Sequence, residues 1–335
     1  MIRVAILGAS GFVGGELLRL IAAHPAMEVV VAFGASSAGQ TLGSLSPHLS
    51  LAYPDLRFAA WDRALLADAD LIFAALPHGE TQSLADDLLA PGIPIVDLGA
   101  DFRLDTAEQF ETWYGEPHQR PDLLASFTYG LPEFFRDEIR SSKRVAAPGC
   151  YPTAANLALK PLIDAGAIET SGIIVDAASG VSGAGRSATA ATHFCAVDGS
   201  FRAYGLTSHR HTAEMEMVSG ASVLFSPHLM ATSRGILATC YAKAISTADP
   251  LAILREAYDD EPFVHVGETL PETKWATGSN AAFLSARFDQ RTGMVVALAA
   301  IDNLGKGAAG QMIQCANLML GQRETAGLSN IGVYP

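Results

Sequence analysis

The stretch Gly8-Ala9-Ser10-Gly11-Phe12-Val13-Gly14 constrains this chain more than any other. It follows an apolar run at residues 2–7 and precedes residues 15–24, which read as a helix. Glycines at this spacing let the backbone turn sharply and approach a pyrophosphate, which the helix N-terminus then stabilises. Gly8, Ser10, Gly11, Phe12, Val13 and Gly14 are therefore candidate cofactor contacts. Further apolar runs at 29–33, 71–76 and 93–98, with a helical stretch at 80–90, extend the alternation of strand and helix. The expected fold is α/β, a Rossmann-type doubly wound parallel sheet. Ligands on such sheets bind beyond the carboxyl ends of the strands. The loops at 8–14, 34–39 and 77–79 leave from those ends, which adds Pro77 and His78 to the cofactor candidates.

The texture changes near residue 150. Runs at 173–178, 235–244, 282–288 and 294–301 read as strands with few helices between them. They predict a second, α+β domain with a mixed sheet, devoted to catalysis and oligomerisation. The 335 residues suffice for two such cores. The domain organisation expected is residues 1–149 for cofactor binding and 150–305 for catalysis. The C-terminal part, 306–335, contains a helix at 306–320 that returns to the first domain.

A net charge of −13 argues against nonspecific nucleic acid or anionic membrane as partners. No apolar run is long enough to cross a bilayer and no signal peptide is visible, so a cytoplasmic protein is expected. Cys150, Cys195, Cys240 and Cys315 show no C-x-x-C spacing, so neither a metal site nor a redox dithiol is expected.

Cys150 stands in Ala147-Pro148-Gly149-Cys150-Tyr151-Pro152-Thr153. A Pro-Gly turn delivers the chain to the thiol, and the following run reads as the first turn of a helix. Unpaired N–H groups and the positive end of the helix dipole both favour a thiolate, the form that attacks carbonyl carbon. Cys150 is the candidate nucleophile. It needs a proton partner, and Ser208-His209-Arg210-His211-Thr212-Ala213-Glu214 supplies the candidates. His211 is preferred, with His209 second, and Glu214 either orients a histidine or binds substrate. In an extended segment the two histidines would share a face; in a helix they would not.

Residues 180–212 carry Arg186, Arg202 and Arg210, a local cationic patch suited to an anionic small substrate. Arg103 follows the strand at 93–98 and fits the same role, with a salt bridge to Asp101 or Asp105 as the alternative. Ser179, Gly180, Ser182 and Gly183 form a second small-residue loop that lets a nicotinamide or phosphate come near. Asn303 opens the last helix, placed to meet the nicotinamide amide or Cys150, or to act as an N-cap. The second strand ends Val31-Ala32-Phe33-Gly34-Ala35-Ser36-Ser37, without the acid that usually holds the ribose of NAD. Ser36 and Ser37 suit a 2′-phosphate instead, so NADP is the expected cofactor. The loop 36–39 itself holds no arginine.

Taken in order, the 8–14 loop, the Pro-Gly-Cys-Tyr-Pro-Thr segment, Ser179 to Arg186, His209-Arg210-His211 and Asp302-Asn303-Leu304 resemble the N-acetyl-γ-glutamyl-phosphate reductases in their longer form, over almost the whole chain. That family is similar in plan to aspartate-semialdehyde dehydrogenase. The resemblance implies a cytoplasmic homodimer or homotetramer in arginine biosynthesis. It also implies NADPH as reductant, Cys150 as acyl acceptor, and a histidine of the His-Arg-His segment as acid and base. The expected reaction reduces an acyl phosphate to a semialdehyde through a cysteine thioester. Alternatives are an aspartyl or aminoadipyl acyl phosphate as substrate, or a non-catalytic NADP-binding regulator.

Overall fold

The computed structural model describes residues 1–334. Two compact units make up the chain. The first comprises residues 1–111, 115–148 and 308–328; the second comprises 112–114, 149–307 and the segment from 329 onward.

The first unit is built on seven strands: β1 (Ile2–Leu7), β2 (Met27–Phe33), β3 (Phe58–Ala59), β4 (Leu71–Ala74), β5 (Ile95–Asp97), β6 (Thr128–Tyr129) and β7 (Arg144–Ala146). They lie in the order β3-β2-β1-β4-β5-β7-β6, every pair parallel. The order reverses between β1 and β4, which opens a crevice at their carboxyl ends. Both faces of the sheet are covered, so β1 is apolar at consecutive positions rather than at alternate ones. Val4 and Ile6 pack with Leu17, Phe73 and Ile313 on one side. Ala5 and Leu7 pack with Val31, Phe33, Ile72 and Leu88 on the other.

The first helix spans Phe12–Ala22, starting earlier than residues 15–24 suggest. The stretch 80–90 is two short helices, Glu80–Ser83 and Ala85–Leu89, broken at Leu84, where the backbone leaves the helical region (φ −96°, ψ 3°). The C-terminal helix Gly310–Met319 follows a π-helical turn at Gly305–Ala309. Its Met312, Ile313 and Ala316 lie in the same core as Val4 and Ile6.

The second unit holds β8 (Ile173–Gly180), β9 (Phe201–Ala203), β10 (Val223–Met230), β11 (Ile236–Lys243), β12 (Val264–Val266), β13 (Ala282–Asp289) and β14 (Met294–Ile301). Their order is β12-β13-β14-β11-β8-β10-β9. The sheet is mixed: β8 with β10 and β12 with β13 are parallel, and the other pairs are antiparallel. Side chains alternate, as expected where a sheet buries one face. Ile173, Val175 and Ala177 of β8 lie beside Val223 and Phe225 of β10 and Ala238 and Cys240 of β11, all buried. The helices Cys150–Asp164, His211–Ser219 and Pro250–Ala257 pack against strands of this sheet. Ile174 and Leu224, in register on the opposite face, are exposed. β10 is not evident in the sequence, because Pro227 and His228 interrupt its apolar pattern and proline is rare inside a sheet.

Candidate active site

Cys150 is the first residue of the helix Cys150–Asp164, with Gly149 as its extended N-cap (φ −66°, ψ 154°). No side chain caps this end, so the first-turn N–H groups are left open beside Cys150. Cys150 is partly exposed, whereas Cys240 and Cys315 are buried and Cys195 lies on the surface. Burial pushes the Cys240 thiol up to about 12, with the charge of Asp176 adding to the effect. The Cys315 thiol donates to the Gly130 carbonyl at 3.3 Å. Cys195 also lies in the first turn of a short helix, Phe194–Val197, but that end is capped by the His193 side chain, whereas the helix that Cys150 begins has no side-chain cap.

Two further backbones close on this residue. A Cβ at Gly149 would lie 2.5 Å from His211 Nε2, so the imidazole rests directly on the residue before Cys150. A Cβ at Gly307 would lie 2.8 Å from Cys150 Cβ. Glycine is required at both positions by close approach, not by unusual dihedrals. The Gly149 N–H donates to Glu214 Oε2 at 2.9 Å, and Glu214 is completely buried. Glu214 therefore braces the loop that carries Cys150.

The two histidines occupy different settings. His211 begins the helix His211–Ser219, while His209 lies in the turn before it. His209 Nδ1 accepts the His211 N–H at 3.2 Å, which leaves the proton of the neutral ring on Nε2. Its ring is surrounded by Tyr151, Tyr204 and Phe225, with centroids 5.7, 5.6 and 5.2 Å away. Burial lowers the His209 pKa to about 4, and the adjacent Arg210 charge adds to this. His209 is thus neutral across the physiological range. The Tyr204 hydroxyl donates to Tyr151 Oη at 3.0 Å, and the Tyr151 hydroxyl donates to the His228 carbonyl at 3.1 Å. Burial raises Tyr204 to about 12 and raises Tyr151 as well; the nearby Cys150 charge adds to both shifts.

Asn303 is buried. Its Oδ1 accepts the Gly235 N–H at 2.8 Å, and its Nδ2 donates to Ser182 Oγ at 2.9 Å. Ser179 Oγ donates to the Gly180 carbonyl at 3.0 Å, and a Cβ at Gly183 would lie 3.1 Å from that hydroxyl. Asn303 and the loop 179–183 thus form one cluster. The arginines are more scattered. Arg186, Arg202 and Arg210 are exposed. Arg202 donates to the Ala191 carbonyl at 3.0 Å, and the Arg210 guanidinium stands 5.0 Å from the centre of the Tyr114 ring.

In the first unit, Gly8 has φ +73°, and a Cβ there would lie 2.2 Å from the Ala75 carbonyl oxygen. A Cβ at Gly14 would lie 2.4 Å from the Gly8 carbonyl. Gly11 is the N-cap of Phe12–Ala22, again without a side-chain cap or a first-turn acid. This end suits a pyrophosphate, which would find open N–H groups and no opposing carboxylate. Ser36 is exposed and Ser37 buried in a short turn after β2.

The loop after β4 is held by Asp101, an acid with no motif to mark it. Its carboxylate accepts the Gly79 N–H at 2.8 Å and the Gln82 N–H at 2.9 Å. His78, which follows Pro77, has Nδ1 3.2 Å from Asp101 and Nε2 3.0 Å from Glu116. Arg103 is largely buried and donates to the Leu98 carbonyl at 2.6 Å. Asp97, at the end of β5, accepts from the Gly99 N–H at 2.8 Å and the Thr81 hydroxyl at 3.0 Å, while Oδ2 has no partner among the described residues. Burial raises the Asp97 carboxyl to about 7, with the Asp101 charge second.

Residues 3–142 match the family described as semialdehyde dehydrogenase, NAD binding domain, and residues 150–303 match semialdehyde dehydrogenase, dimerisation domain. A protein of Symbiobacterium thermophilum named N-acetyl-gamma-glutamyl-phosphate reductase is 49% identical over 100% of this chain and 99% of its own length. One of Ectopseudomonas mendocina with the same name is 43% identical over the whole of both. The chain belongs to the N-acetyl-γ-glutamyl-phosphate reductase family. Among solved structures, aspartate semialdehyde dehydrogenase II of Vibrio cholerae superposes with a TM-score of 0.72 at 17% identity, over 96% of this chain and 98% of that one. The Candida albicans aspartate semialdehyde dehydrogenase, solved with NADP, gives 0.71 at 14% identity over 96% and 98%. At such identities the likeness concerns the fold. Among the described residues, no helix is long and apolar enough to cross a membrane.

Proposed function

We propose that this family member reduces N-acetyl-γ-glutamyl phosphate to N-acetylglutamate 5-semialdehyde, with release of phosphate, in arginine biosynthesis. The observation that carries the chemistry is the setting of Cys150: an accessible thiol at an uncapped helix start, with the His211 imidazole packed on the preceding glycine. The relatives' names supply the substrate.

Cys150 Sγ attacks the γ-acyl carbon; a C–S bond forms, the C–O bond to phosphate breaks, and phosphate departs. The first-turn N–H groups stabilise the tetrahedral oxyanion. The loop Gly8–Gly14 would hold NADPH, which would supply the hydride needed to reduce the thioester. The thiohemiacetal then expels the sulfur, and His211 moves the proton. Splitting one difficult reduction into two steps is what the covalent intermediate achieves. His211 is assigned this role because His209 stays neutral and is enclosed by aromatic rings.

NADP is preferred to NAD because β2 ends without an acid and Ser36 and Ser37 follow. The arginines are assigned to the substrate and the loop 179–183 to the nicotinamide, on the charge of the former and the small residues of the latter. The enzyme acts as a homo-oligomer through the second unit, whose sheet leaves Ile174 and Leu224 uncovered. A reactive thiol is kept reduced in the cytoplasm, which is the proposed location.

The deciding experiment is Cys150→Ser, assayed by acyl-phosphate-dependent NADPH oxidation. Turnover should fall to background while NADPH still binds. Wild-type activity in that variant would overturn the mechanism, and a preference for aspartyl or aminoadipyl phosphate in the native enzyme would overturn the substrate.

A further inference from the structure

The end of β2 offers a 2′-phosphate two serines and, within the 36–39 loop, no cation. The fold supplies one from elsewhere. β3 pairs parallel to β2, setting Phe58 beside Ala32 and Ala59 beside Phe33. The chain after the serines folds back along β3: Gly39 N–H donates to the Phe58 carbonyl at 2.8 Å, and Phe58 N–H donates to the Gln40 carbonyl at 3.0 Å. Thr41 and Arg57 then form an antiparallel bridge. This return brings the Arg57 guanidinium onto the serine loop, where Nη1 donates to the Gly39 carbonyl at 2.9 Å.

Three features make this arginine suited to an anionic ligand. It is exposed, it is anchored through one nitrogen only, and it has no carboxylate partner among the described residues. Arg63, also exposed, is by contrast paired with Asp87 at 3.3 Å. The hydroxyls of Ser36 and Ser37 make no hydrogen bond to the described protein either, so both are available. A planar guanidinium on the loop that follows two serines can recognise phosphate by paired charge-assisted hydrogen bonds.

We propose that Arg57, acting with Ser36 and Ser37, binds the 2′-phosphate and makes this enzyme select NADPH over NADH. The assignment rests on the NADP reading given above and names the residue that would enforce it.

The test is equilibrium binding of NADPH and NADH, and of adenosine 2′,5′-bisphosphate and 5′-AMP, to the native protein, Arg57→Ala and Arg57→Lys. Loss of a charge-assisted pair should weaken NADPH and the bisphosphate about tenfold to a hundredfold in Arg57→Ala. NADH and AMP should be unchanged. Arg57→Lys should fall between, since an ammonium keeps the charge but not the fork. If Arg57→Ala keeps the native preference, or weakens both nucleotides equally, the role of Arg57 is overturned while the NADP reading stands. If the native protein binds NADH as tightly as NADPH, the cofactor reading fails and this assignment fails with it.

Discussion

At the residue scale, the glycine before the proposed nucleophile bears most directly on the proposed chemistry. Gly149 adopts dihedrals open to any residue, so alanine there meets no backbone strain. What it meets is His211 Nε2, 2.5 Å from the new Cβ. Gly149→Ala should therefore fold normally, keep NADPH binding, and lose about a hundredfold in kcat by displacing the imidazole. Steady-state kinetics with far-UV circular dichroism would check this, and unchanged kcat would remove His211 from the mechanism. Cys150 was legible in the sequence because a Pro-Gly turn before a helix is a local signal. The preference for His211 over His209 rested on little in the sequence, since both titrate near neutrality in water. The low pKa of His209 arises from burial among Tyr151, Tyr204 and Phe225, of which Tyr151 and Phe225 are distant from it in the chain.

At the scale of elements, the Cys150–Asp164 helix contains Pro161, which cannot donate to the Leu157 carbonyl one turn earlier. The Tyr258 hydroxyl, at the end of the helix Pro250–Ala257, donates to that carbonyl at 2.7 Å. A buried acceptor left unmade costs roughly 1–3 kcal/mol, so Tyr258→Phe should destabilise the protein by about that amount. In a Pro161→Ala background, the restored N–H satisfies Leu157 and the same Tyr258→Phe change should cost much less. A double-mutant cycle by chemical denaturation measures the coupling, and additive effects would show that the hydroxyl is no substitute for the proline's missing donor. The sequence displays Pro161 plainly but gives no hint of its partner, because that partner comes from a helix packed nearby. The same limit hid β10, whose Pro227 reads as a breaker until its neighbours β8 and β9 are known.

At the scale of the whole molecule, one buried acid should contribute a pH-dependent part of the stability of the protein. Asp97 keeps its proton in the folded state up to a pKa of about 7, against 3.8 in its absence of environment. Between those values the unfolded chain binds fewer protons at Asp97 than the folded one, so the contribution of Asp97 to stability falls as pH rises from about 4 to about 7 and then levels off, while His209, lowered to about 4 by burial, contributes in the opposite sense over much of the same window. Asp97→Asn should remove that slope, so the variant gains melting temperature relative to the native protein across this window and keeps a constant lead above it. Calorimetry at a series of pH values checks the prediction, and a pH-independent difference would show that Asp97 is ionised throughout. The strand-glycine-helix opening, the presence of two compact units and the candidate nucleophile were legible in the sequence itself, because each is a pattern among residues close in the chain. The role of Asp101 in holding the 77–82 loop, the protonation of Asp97, the separation of His211 from His209 and the arrival of Arg57 at the serine loop were decided only by tertiary structure. Burial and hydrogen bonding set these properties, and the groups responsible are brought together by strand pairing and packing across long stretches of chain.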